Sequence, residues 1–163
     1  MFISNTKIFY FAKIVCLYYF LTSQCFAGDK LTINHIEKFV KQAKEHALNV
    51  GKDQALKDFM DSDNKQFRDG SLYIFAQDYN GINLAHIKPS IVGANMMGLK
   101  DQDGIKFIEE MTEIAKNNAN GGWVKYIWQN PLTKKPEIKH TFAIKVDDTY
   151  WIAAGVYDSE LQK

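Results

Sequence analysis

The stretch Gly121-Gly122-Trp123-Val124-Lys125-Tyr126-Ile127-Trp128-Gln129-Asn130-Pro131 constrains the fold of this chain more than any other eleven residues. Aromatic and β-branched residues alternate in it, two glycines open it and Asn-Pro closes it, so it predicts a strand. Period-two alternation sets Val124, Tyr126 and Trp128 on one face and Trp123, Lys125 and Ile127 on the other. A face carrying a phenol and an indole is apolar yet holds two hydrogen-bond donors. Such a face packs a core, or it walls a site for a small polar guest.

The N-terminus bears on location. Lys7 and Lys13 flank an apolar and aromatic run over 8–21, followed by Thr22-Ser23-Gln24 and then Cys25-Phe26-Ala27, with small residues at the −3 and −1 positions of a cut. The pattern predicts a signal peptide over 1–27, cleaved after Ala27, and hence a periplasmic or secreted protein. The competing reading is a retained anchor, since a bilayer span needs ~20 residues. Lys13 interrupts the run and favours cleavage. Cys16 and Cys25 then leave with the leader. A domain over 28–163 without cysteine holds together through its core alone. It has no thiolate metal site, cysteine nucleophile or covalent haem.

Charge excludes other partners. The chain has 20 basic and 19 acidic residues, and losing Lys7 and Lys13 leaves the domain close to neutral. Neither nucleic acid nor an anionic membrane surface is an expected partner.

Along the domain, Thr32 is placed to cap a helix with Ile36, Phe39, Val40, Ala43, Ala47 and Val50 at helical spacing, ended by Gly51. A short helix over 53–60 follows. A strand over 72–77, a hairpin at Asp78-Tyr79-Asn80-Gly81 and a strand over 82–86 come next. An irregular stretch over 87–102 leads to a helix capped by Asp103 and running to Asn117. Three strands, 122–129, 136–146 and 149–156, close the chain. This order predicts an α+β, PAS-like domain. Five antiparallel strands form one sheet, with the N-terminal helix on one face and segment 87–118 arching over the other to enclose a cavity.

The motifs also resemble a known family. Gly51-Lys52-Asp53-Gln54-Ala55-Leu56-Lys57-Asp58-Phe59, Leu72-Tyr73-Ile74-Phe75-Ala76, Asp78-Tyr79-Asn80-Gly81 and Leu84-Ala85-His86 come first. Val92-Gly93-Ala94-Asn95, Leu99 to Gly104, the Gly-Trp-Val-x-Tyr-x-Trp-x-Asn-Pro strand, Lys139-x-x-Phe142 and Ala154-Gly155-Val156-Tyr157 complete the series. In this order, over about 35–157, the chain resembles the single Cache domain, type 2, the extracytoplasmic sensor module of bacterial chemoreceptors and histidine kinases. The resemblance implies binding of a small organic molecule, typically a short carboxylate. Its pocket residues carry over to Tyr73, Phe75, His86, Tyr126, Trp128, Lys139 and Phe142. Two departures stand out: Ile87 replaces the proline usual after the histidine, and Phe142 replaces a common tyrosine. The chain also ends soon after Tyr157, with no output domain. It is not expected to signal across a membrane by itself; a monomer or weak dimer is expected, with a membrane receptor as its signalling partner.

A buried carboxylate needs a cation or several donors. The one arginine, Arg68, sits in a polar turn and reads as solvated, so charge pairing falls to lysine, histidine or neutral donors; the resemblance, which matches Lys139 to the family's lysine, makes Lys139 the expected counter-ion. Strict alternation sets Lys139 and Phe142 on opposite faces. Either a bulge resets the phase or only one of the two lines the cavity. His86 would pair with an acid only when protonated. No cofactor or metal is expected: the histidines share no ligand spacing, and Asp61-x-Asp63 and Asp101-x-Asp103 lack the glycine and glutamate of a calcium loop. Nucleophile elbows, paired helical histidines and phosphate loops are lacking, so an enzyme is not expected. The alternative function is a periplasmic interaction module for a membrane receptor.

Overall fold

The computed structural model describes residues 31–161; the leader and its cleavage site lie outside them. Helix α1 spans Ile33–Val50, and the Thr32 hydroxyl accepts the His35 amide at its start. Gly51, at φ 83°, ends it and opens α2, Lys52–Met60. Only a residue without Cβ takes that backbone conformation cheaply. Ile36, Phe39, Val40, Ala43 and Ala47 are buried, as the 3.6-residue spacing requires, whereas Val50, expected on the same stripe, is exposed in the helix's last turn.

Seven strands follow: β1 Arg68–Asp69, β2 Leu72–Tyr73, β3 Phe75–Asp78, β4 Asn83–Ala85, β5 Gly122–Gln129, β6 Pro136–Lys145 and β7 Tyr150–Tyr157. Five of them form an antiparallel sheet in the order β4-β3-β7-β6-β5. The first hairpin turns at Asp78-Tyr79-Asn80-Gly81, where Asp78 Oδ1 accepts the Asn80 and Ile82 amides and Gly81 takes φ 84°. Its register slips between Ala76 and Gln77.

The sheet has two differently used faces. One meets α1 and α2 through Ile144, Ile152, Ala154, Val156 and Phe142. The other meets α3 (Phe107–Asn117) and the arch through Phe75, Val124, Tyr126, Trp151 and Ala153. Terminal residues join at a parallel bridge between Leu31 and Leu161.

Two expectations need correcting. The predicted strand over 72–77 is split. Leu72–Tyr73 folds back on Arg68–Asp69 in a separate ribbon, and the chain enters the main sheet only at Phe75. The cause is the two-residue loop Gly70-Ser71, with Gly70 at φ 58°. Asp103 does not cap α3, whose N-cap is Lys106. Asp101 instead gathers the amides of Asp103 and Ile105 at Oδ1, and Gly104 at φ 85° turns the chain, so no helix starts before Phe107.

Candidate functional site

The arch is fastened to the sheet before it encloses anything. Asp101 Oδ2 accepts the Ile127 amide of edge strand β5 at 2.8 Å. Asn83 donates its backbone amide to the Ala94 carbonyl and accepts from Gly93, while Met96 donates to Gly81. These bonds hold segment 87–106 over the sheet without regular secondary structure of its own, apart from one 3-10 turn at Pro89–Ile91.

Two neighbouring spaces result. An inner chamber of about 20 Å³ is lined by Tyr73, Phe75, Gln77, Asn83, His86, Ile91, Met96, Phe107, Ile108, Tyr126 and Trp128. This is little more than the room one water needs. An outer cleft of about 690 Å³ lies beside it, within the range of ligand pockets. Tyr73, His86, Phe107 and Trp128 border both.

The rings are held by one another. Tyr126 stacks on Phe107 with centroids 4.2 Å apart and planes 6° from parallel. Its hydroxyl accepts from Thr141 Oγ1 at 3.3 Å, which leaves the phenolic O–H free to donate. Trp128 stands edge-on to Phe107, at 5.5 Å, and to His86, at 6.4 Å. Tyr73 meets His86 edge to face at 5.1 Å.

His86 is buried, and its Nδ1 accepts the Lys88 amide at 2.9 Å. That bond places the ring proton on Nε2. Burial, and then the positive charges of Lys139 and Lys88, push its pKa down to about 3. The ring is therefore a neutral donor at physiological pH.

Lys139 settles the question of strand phase. Strand β6 pairs with β5 residue for residue from Pro136 to Ala143, with no bulge. Lys139 therefore faces the arch side. Phe142 faces α1, with its ring 5.3 Å from Trp123 and beneath Lys41. Phe142 is thus removed from the cavity: it is core under the helix, because alternation along an unbroken ladder admits no other outcome. Lys139 is 0% exposed, and its Nζ has no hydrogen-bond partner. The ammonium lies over the rings of Tyr73, Tyr157 and Phe75, at 4.1, 5.3 and 5.6 Å. Burial pushes its pKa down from 10.5 to about 7, against a smaller opposing pull from Glu160. The other lysine of that parity, Lys145, is engaged by Asp148 near the strand's end.

The structure thus gathers Tyr73, Phe75, His86, Tyr126 and Trp128 around one chamber, with Lys139 behind Tyr73 and Phe75. Arg68 was missed. Pairing with Tyr73 across the β1–β2 ribbon, it is half-buried and borders the outer cleft, not a solvated turn. The signal was the Gly70-Ser71 hairpin loop. Phe107 also lines both spaces, although its stretch reads in the sequence only as helix. Among the described residues there is no cluster of three metal-ligating side chains.

Known proteins of the same shape carry this architecture. A methyl-accepting chemotaxis protein from Vibrio parahaemolyticus superposes with a TM-score of 0.68 at 21% identity, over 77% of this chain and 88% of that one. The periplasmic sensor domain of a chemotaxis protein gives 0.59 at 21% identity, over 74% and 86%. A Cache chemosensory domain studied for carboxylic acid recognition gives 0.58 at 22% identity, over 75% and 81%. In sequence, the sensor histidine kinase MctS of Rhizobium johnstonii is 39% identical over 87 residues. That match covers 52% of this chain and only 18% of the kinase. The profile of the single Cache domain 2 family matches residues 30–163, and the chain belongs to that family of ligand-sensing domains. Cache domains are non-catalytic sensory modules, typically periplasmic. Among the described residues no helix is long and apolar enough to cross a membrane.

Proposed function

We propose that this Cache domain is exported behind the 1–27 leader and senses a short organic acid beneath its arch. One observation supports the reading above the rest: a fully buried lysine with no polar partner, boxed by three aromatic rings. A buried cation without a counter-ion costs several kcal/mol, which a ligand carboxylate would offset. Nε2–H of His86 and the Tyr126 hydroxyl supply neutral donors, and Phe75, Tyr73 and Trp128 supply the apolar wall. Arg68 at the cleft would draw the acid in. A membrane receptor would read the bound state, the domain itself being a monomer or weak dimer. The kinship with chemoreceptor sensor domains and the carboxylic-acid-recognising neighbour agree with this reading.

A thermal-shift screen of two- to four-carbon acids, amines and amino acids tests it. A ligand at ~100 times its dissociation constant should stabilise the domain by about 2.7 kcal/mol. A flat screen across all classes would favour the protein-interaction module instead.

A further inference from the structure

At the end of the inner chamber away from Lys139, the sheet carries a row of buried polar side chains that the acid-binding reading does not use. Asn83 on β4 pairs in register with Gln77 on β3, which pairs in turn with Trp151 on β7. Exposure is 1% for Asn83, 1% for Gln77 and 0% for Trp151. Asn83 Oδ1, Gln77 Oε1 and Trp151 Nε1 all lack a hydrogen-bond partner. Three adjacent unpaired polar groups in a core are costly, and native structures seldom keep them without a use.

The backbone has been altered to assemble this row. Ala76 pairs with Ala85, yet Gln77 pairs with Asn83, so one residue of β4, Leu84, is extra. Without that bulge Asn83 would share the face of Ala85, which packs against the helix layer. The bulge re-aims Asn83 into the chamber beside Gln77. No charged side chain lines the chamber, and His86 there is neutral.

We propose that Asn83 and Gln77, backed by Trp151, form a neutral polar subsite that selects a ligand carrying a hydroxyl, carbonyl or amide group besides its carboxylate. The inference rests on the acid-binding reading. Amide side chains both donate and accept, so they pair with any of these groups. A plain alkyl acid would leave them unpaired, and a site built this way discriminates against the partner that lacks the group.

Calorimetric titration of the wild-type domain with unsubstituted C2–C6 acids, each against its hydroxy-, oxo- and amide-bearing counterparts, tests it. At least one substituted acid is expected to bind about tenfold tighter than its plain parent. In Gln77→Met and Asn83→Leu the ratio should fall to about one; a ratio that stays near ten in both variants would overturn the subsite. Equal affinities within every pair for the wild type would overturn the subsite, leaving the row to a resident water. That result is read on the wild-type domain alone and does not depend on either variant folding. If no acid of either kind binds, the acid-binding reading fails and this inference with it.

Discussion

Replacing Lys139 by methionine keeps most of the stem and removes the amine. The empty domain should become more stable, because the ammonium has three rings around it and no polar partner. The folded pKa of about 7 lies below the ordinary 10.5. The unfolded chain therefore holds more protons than the folded one between those values, and wild-type stability rises with pH across that window. The slope is up to about 1.4 kcal/mol per pH unit, and below pH 7 the full penalty of the buried charge is present. At pH 6, Lys139→Met should gain on the order of 3 kcal/mol, or roughly 10 °C in Tm. It should also lose the slope between pH 7 and 10. Acid binding should move the other way. Removing one partner of a buried charge pair costs about 3–5 kcal/mol, so affinity should fall by some two to three and a half orders of magnitude. Urea unfolding at several pH values and calorimetric titration measure both. A variant that binds acid as the wild type does, or that keeps the wild-type pH slope, would show that Lys139 is neither the counter-ion nor the titrating group.

Tyr126→Phe keeps the ring stacked on Phe107 and deletes the hydroxyl, so calorimetry should show acid affinity lowered by about 0.5–1.5 kcal/mol. Phe142→Leu lies on the helix side of the sheet; acid affinity should stay unchanged while urea unfolding shows a loss of about 1 kcal/mol. Gly121→Ala meets the Ala143 carbonyl at 2.5 Å and the Phe142 ring at 2.7 Å, at φ 79°. Its thermal melt should show at least about 2 kcal/mol of destabilisation.

Much of this was legible in the sequence because it depends on period and punctuation. The alternation from Trp123 to Trp128 placed Tyr126 and Trp128 on the arch side, and they are there. The spacing from Ile36 to Ala47 named the helix's buried stripe. Illegible features depend on where the backbone departs from regularity. Nothing in Asn83-Leu84-Ala85 announces the bulge that turns Asn83 inward, since the slip arises only when β4 is laid against β3. Conversely, only the absence of a bulge in β6 separates Lys139 from Phe142. The neutrality of His86 is likewise tertiary: its burial and the Lys88 amide come from the arch folding back. Arg68 could have been found, because Gly70-Ser71 marks a two-residue hairpin that returns the chain to Tyr73.

A carboxylate that pairs with Lys139 should draw a proton onto the amine as it binds. At pH 8 the empty domain's Lys139 is mostly neutral, with a pKa of about 7; a bound carboxylate should restore its charge. Calorimetric titration of the best-binding acid, repeated at pH 8 in buffers of different ionisation enthalpy, should show about one proton taken up per ligand. Uptake should fall toward zero at pH 6, and affinity should drop as pH rises from 7 to 9. Saturable binding with no proton uptake at pH 8 would mean that the carboxylate does not pair with Lys139.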